Sequence, residues 1–263
     1  MSQQDIEDSA APLIEHLIEL RQRLMRAVIA IAVFFVICFI FAQEIFNILV
    51  IPYQRGAGVE EVKFVFIALQ EFFFVQLKIA LFGALFIAFP VIASEIYKFV
   101  APGLYRNERQ AFLPFLIATP ILFLIGACLV YFLIMPLATS FFLSQQQIGG
   151  EGQASIENMQ SVGTYLSLIM TLIFAFGLVF QMPVVITLLS RAGLVTSTGL
   201  KSKRKYMVLA TFVMAAVLTP PDPVSQIGLA VPSLLLYEVS IYLARLIEKK
   251  REEREAEAEA ATS

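Results

Sequence analysis

The sequence predicts an all-α protein, a six-span transmembrane bundle with concave, proline-bent helices. Three observations predict it. Six apolar stretches follow one another, at roughly 27–42, 72–93, 111–132, 162–189, 206–218 and 227–243. Of the 19 Lys and Arg residues, all but Arg55, Lys63 and Lys78 fall before the first stretch or after the second, fourth and sixth, on one side of the alternation. Composition is 59% hydrophobic and 15% charged with a mean hydropathy of +0.79, against about 25% charged residues in a soluble domain. Retention of positive charge on the cytoplasmic side predicts both termini inside. The net charge of -2 conceals this asymmetry and says nothing about partners.

Each element follows from that frame. Arg21, Arg23 and Arg26 anchor the foot of the first span. The segment ahead of it is rich in Asp and Glu and has no small-residue cleavage site after the apolar run, so the first span is expected to stay rather than act as a cleaved signal. The outer loop at 43–70 holds Pro52, Gly56 and Gly58 and then turns apolar again. It is expected to fold as short helices over the membrane surface. Lys98, Arg106 and Arg109 mark the first inner loop, and Arg191 with Lys201, Lys203, Arg204 and Lys205 the second. The second outer loop, 144–160, is rich in Gln, Gly and Ser. Pro220, Pro221 and Pro223 make the third a tight turn, because proline cannot continue a helix. The fifth stretch has about 13 residues, or about 20 Å at ~1.5 Å per residue, short of the ~30 Å of hydrocarbon. The hairpin it begins is expected to end below the outer surface, with Asp222 and Gln226 partly inside the membrane. Pro90, Pro114, Pro120, Pro136, Pro183 and Pro232 can bend their helices. With no Trp, the interfacial belt falls to Tyr97, Tyr105, Tyr131, Tyr165 and Tyr206. Residues 1–245 form one membrane domain, and 246–263 a charged, flexible cytoplasmic tail.

Chemistry of the catalytic kind finds no support. His16 is the only histidine, Cys38 and Cys128 sit in apolar stretches as small buried hydrophobes, and no phosphate-binding glycine loop is present. No catalytic constellation, metal site or cofactor is expected. Two carboxylates stand among basic residues on the inner side, Glu19 and Glu108. Each can accept paired hydrogen bonds from a guanidinium, either of an incoming peptide or of a neighbouring arginine. Gln181, beside Pro183 in the fourth span, is an intramembrane amide suited to bonding another helix or lining a polar groove. Lys78, Glu95 and Glu238 lie in or near spans, where ionisable groups are expensive, but close enough to span ends to snorkel.

Three stretches carry a resemblance: His16-Leu17-Ile18-Glu19-Leu20-Arg21, then Phe99-Val100-Ala101-Pro102-Gly103-Leu104-Tyr105-Arg106-Asn107-Glu108-Arg109, then Leu218-Thr219-Pro220-Pro221-Asp222 with Ser225-Gln226. From about residue 13 to 245 the chain resembles TatC, the polytopic receptor subunit of the twin-arginine protein translocase. The resemblance implies a translocase driven by proton-motive force that exports folded proteins bearing twin-arginine signal peptides. It implies peptide recognition by Glu19, Glu108, Arg21, Phe99, Tyr105, Arg106 and Arg109. It also implies a partner-helix contact at Thr219, Asp222 and Gln226, to which the neighbouring fifth span adds Met207 and Met214. The implied partners are the single-span subunits TatA and TatB, in a hetero-oligomer of several copies within the lipid bilayer, with no nucleic acid. Where many members of the family carry a glutamate in the fourth span this chain has Gln181, which cannot titrate. The competing reading, a small-solute secondary transporter, expects paired repeats and charged midplane residues, neither of which the sequence offers.

Overall fold

The computed structural model describes residues 3–66, 68–104, 113–146, 160–219 and 222–262. Backbone groups in hydrocarbon have no water to bond, so an apolar chain of this kind must satisfy them internally as helices. The described residues form α1 (Gln3–Ile40), α2 (Ala42–Ala57), α3 (Glu71–Leu104), α4 (Leu113–Leu129), a π-helical turn (Val130–Ile134), α5 (Met135–Ser144), α6 (Val162–Val179), α7 (Met182–Arg191), α8 (Ser197–Ser202), α9 (Arg204–Leu218) and α10 (Pro223–Thr262). Among them are five helical segments long and apolar enough to cross a membrane: His16–Ile40, Glu71–Phe99, Pro114–Ser144, Val162–Arg191 and Pro223–Glu253. The sixth expected crossing, α9, is a helix of 15 residues, or about 22 Å long. That is short of the ~30 Å of a hydrocarbon core, so six full-length spans are not what these helices provide.

The chain divides into two compact units, one of Met1–Phe46 with Phe73–Pro120 and one of Asn47–Phe72 with Ile121–Ser263. In the first unit α1 is exposed along almost its whole membrane-crossing length. Its contact with α3 is close where Gly83 faces Cys38. A Cβ at Gly83 would stand 3.0 Å from the Cys38 Sγ. Tyr97, buried, accepts a hydrogen bond from the Thr119 hydroxyl at 2.9 Å.

In the second unit the core is α6. Leu166, Ile169, Leu172 and Phe176 are almost wholly buried, which a span packed on more than one side requires. A Cβ on Gly126 would come within 2.8 Å of the Phe176 carbonyl oxygen, so only glycine lets α4 approach that backbone so closely. The fourth apolar stretch, expected as one span, is interrupted at Phe180 and Gln181. Pro183 has no N–H to donate one turn back. The Gln181 N–H instead turns tightly onto the Leu178 carbonyl at 3.0 Å, before α7 resumes with the Val185 N–H on Gln181. The π turn has the same origin. It sits directly ahead of Pro136, and the Met135 N–H reaches back five residues to the Val130 carbonyl.

Other expectations are corrected. Tyr97 and Tyr165 are buried within the fold rather than exposed as a belt would have them, and the Tyr165 hydroxyl donates to the Leu49 carbonyl at 2.8 Å. Tyr131 donates likewise to Ile48 at 2.8 Å. A backbone carbonyl satisfies a phenol inside the fold as water would outside it. Tyr206 is exposed, and Tyr105 lies outside the described residues. Cys38 is buried as expected, but Cys128 is exposed. The segment 43–70, expected as short helices, forms one helix, α2, followed by an irregular stretch. That stretch is pinned where Val65 and Ser161 form a parallel bridge and where the Glu71 carboxylate accepts from the Ser161 hydroxyl (2.7 Å) and the Gly163 N–H (3.0 Å). Helix α10 continues through the charged segment 246–262.

Candidate functional site

The carboxylates singled out by sequence are held by helix geometry. Glu19 and Arg23 are four residues apart on α1 and therefore share a face. Two N–H groups of Arg23 converge on one Glu19 oxygen, Nε at 3.0 Å and Nη2 at 2.5 Å from Oε1. The third guanidinium nitrogen, Nη1, reaches across to α3 and donates to Glu95 Oε2 at 3.3 Å. Glu95 is only 7% exposed, and Arg26 and Lys98 each approach it to 3.5 Å. The second Glu19 oxygen has the His16 Nδ1 at 3.8 Å. The His16 ring stacks on Phe99 with centroids 4.2 Å apart and planes at 17°. Among the described residues, then, two carboxylates, four basic side chains and an aromatic stack gather between the middle of α1 and the last turns of α3.

Of the residues predicted to recognise a peptide, the fold brings together Glu19 and the His16–Phe99 stack. Arg21 is exposed on the same helix. Glu108, Tyr105, Arg106 and Arg109 lie outside the described residues. Sequence reasoning discounted Glu95 because it stood near a span end. Its burial was not readable, but one signal was present. Glu95 and Lys98 are one turn apart, as are Arg23 and Arg26, so both helices carry charge on a single stripe.

The polar residues expected inside the membrane lie in the second unit. Gln181 is buried at the junction of α6 and α7, and its Nε2 donates to the Gly177 carbonyl at 3.3 Å. At the turn between α9 and α10, Asp222 caps α10, its Oδ1 accepting the Ser225 N–H at 2.7 Å. This is the ordinary use of Asp at a helix start. Thr219 is buried and donates to the Ala215 carbonyl at 2.8 Å. The buried atoms Asp222 Oδ2, Ser225 Oγ and Thr211 Oγ1 find no hydrogen-bond partner among the described residues. Gln226 is half-buried. Met207 packs against the buried cluster of Leu200, Tyr237, Ile241 and Ala244, whereas Met214, two turns further along α9, is exposed.

Among the described residues no three His, Cys, Asp or Glu side chains gather as a metal site would require. The fold and site therefore define a polytopic helical membrane protein whose polar features are ion-paired clusters and helix caps. The family model "Sec-independent protein translocase protein (TatC)" matches residues 15–232, and the chain belongs to that family, which comprises translocase components rather than enzymes. It is 48% identical over 256 residues to the Sec-independent protein translocase protein TatC of Magnetococcus marinus, covering 97% of this chain and 92% of that one. To the protein of the same name in Escherichia coli strain K12 it is 34% identical over 250 residues, with 95% and 94% covered. The crystal structure of a twin-arginine translocase receptor TatC superposes with a TM-score of 0.76 at 38% identity, covering 89% of this chain and 99% of that one. With its membrane-crossing helices, the chain is thereby a protein of the bacterial inner membrane.

Proposed function

We propose that the chain captures twin-arginine signal peptides at the cytoplasmic face, with Glu19 and Glu108 each accepting one guanidinium. The observation that carries this reading is that Glu19 already holds a guanidinium, that of Arg23, through two N–H contacts on one oxygen. The carboxylate thus stands in a geometry that arginine satisfies, at the foot of a membrane-crossing helix, beside an aromatic surface that can cover the aliphatic part of a peptide. Arg21, Phe99, Tyr105, Arg106 and Arg109 complete the recognition surface. Six crossings, with α9 as a short fifth and both termini inside, accommodate this placement, as do a single membrane domain at 1–245 and a cytoplasmic tail at 246–263.

Partner subunits of the TatA and TatB type, each with one membrane helix, dock along α9. The outward apolar face of α9 supports this, since Leu209, Val213 and Val217 are exposed along the helix and helix packing in a membrane rests mainly on such van der Waals contact. Met214 is exposed for such a contact. Transport then draws on the proton-motive force, and the assembled translocase is a hetero-oligomer. The test is export of a folded reporter bearing a twin-arginine signal in cells lacking their own receptor. Export should appear with this chain and vanish when the arginine pair becomes a lysine pair. Export that ignores that exchange would refute paired-arginine recognition.

A further inference from the structure

Arg23 divides one guanidinium between two carboxylates of unlike setting. Glu19 is partly exposed, its side chain at 35%, while that of Glu95 is at 9% and that of Arg23 itself at 17%. A planar guanidinium binds a carboxylate best through both oxygens. At Glu19, Oε1 is already taken by Arg23, and only Oε2, near His16, is left. An incoming arginine can make its full pair of contacts only if Arg23 gives up Oε1.

We propose that Arg23 is a built-in competitor for Glu19, and that Glu95 is the positioning residue that receives it when a peptide guanidinium arrives. This rests on the reading of Glu19 as a peptide-arginine acceptor. A mostly buried guanidinium released without an acceptor would be an uncompensated charge, which is strongly unfavourable. Glu95 removes that cost because Nη1 of Arg23 already touches it at 3.3 Å. Glu95 in turn does not depend on Arg23 alone for neutralisation, since Arg26 and Lys98 each stand 3.5 Å from it. The exchange therefore moves Arg23 from a shared position to one held by Glu95 alone, and no charge is left stranded. The same competition selects against weak ligands. A lysine ammonium, a point charge without the planar fork, displaces the internal arginine less well than another arginine does.

The experiment measures binding of a fluorescent twin-arginine signal peptide to the purified full chain in detergent. Glu95→Gln should weaken binding on the order of tenfold, because Arg23 then has only Glu19 to hold. Arg23→Gln should tighten binding several-fold and also narrow the preference for the arginine-pair over the lysine-pair peptide. The double variant Glu95→Gln/Arg23→Gln should return to wild-type affinity or better. Glu95→Gln/Arg26→Gln changes the net charge by the same amount and should stay weak. Glu95→Asp keeps the charge and should bind close to wild type, which supplies a reading if the glutamine variant fails to fold. Equal rescue by the Arg23 and Arg26 substitutions would show a general field effect and overturn the proposal. Weaker binding by Arg23→Gln alone would do so too, since Arg23 would then be supporting the site. Wild-type binding that is insensitive to Glu19→Gln would instead refute the underlying acceptor reading, so the two failures are distinguishable.

Discussion

Glu71 shows what one carboxylate can do for this fold. It accepts hydrogen bonds from the Ser161 hydroxyl at 2.7 Å and the Gly163 N–H at 3.0 Å, tying the start of α3 to the start of α6 within the second unit. Hydrogen bonds to a charged group contribute about 1.5–3 kcal/mol each, so Glu71→Ala should lower thermal stability in detergent measurably, while Glu71→Gln should recover part of the loss. At the recognition site the same magnitude applies to binding. Glu19→Ala and Glu108→Ala should each weaken twin-arginine peptide capture by roughly ten- to a hundredfold, and Glu19→Gln nearly as much, because the charge is what attracts the guanidinium. Sequence disclosed that Glu19 and Glu108 carry charge among arginines, but not whether the acceptor was already occupied. Side chains on two helices, Arg23 and Glu95, are 72 positions apart, and no local periodicity encodes their contact.

At the scale of the element, proline chemistry decides where helices stop being regular. The break at Phe180 and Gln181 follows from the missing N–H of Pro183, so Pro183→Ala should let α6 and α7 join. Amide exchange at 180–184 should slow in that variant. Unchanged exchange would assign the break to the packing around Gln181 instead. Close helix approach gives a second prediction. Gly126→Val places carbon against the Phe176 carbonyl, which cannot rotate away, and overpacking of this sort costs about 1–3 kcal/mol. The variant should melt earlier in detergent than the wild type. On α9, a photocrosslinker at Met214 should capture a partner helix more readily than one at Met207, which packs on Leu200 and Tyr237. Capture from Met207 alone would move the docking face. The positions of bends were legible as prolines, whereas the π turn ahead of Pro136 was not. Sequence marks a lost hydrogen bond without saying whether the helix widens, kinks or breaks around it.

For the whole molecule, hydropathy and charge made the helical membrane architecture readable, because the bilayer leaves the backbone so few options. The number of full crossings was less readable. An apolar stretch of marginal length such as α9 is a helix either way, and only its depth distinguishes a crossing from a partial one. The burial of Tyr165 was unreadable for a related reason, since a phenol is as well satisfied by the carbonyl of Leu49 as by interfacial water. Orientation is a prediction at this scale. A cysteine placed at Gln153 should react with an impermeant thiol reagent from outside, and one at Ser202 should not. The reverse pattern would put Glu19 on the wrong side of the membrane for meeting cytoplasmic cargo.

The central claim, that carboxylates of this chain read paired arginines, is tested most directly by site-specific crosslinking of a twin-arginine signal peptide to the full chain in membranes. Wild-type protein should crosslink the arginine-pair peptide strongly and the lysine-pair peptide weakly, and the Glu19→Ala/Glu108→Ala variant, present at normal levels, should lose the arginine-pair crosslink. A double variant that still captures the arginine-pair peptide at the wild-type level would contradict the account.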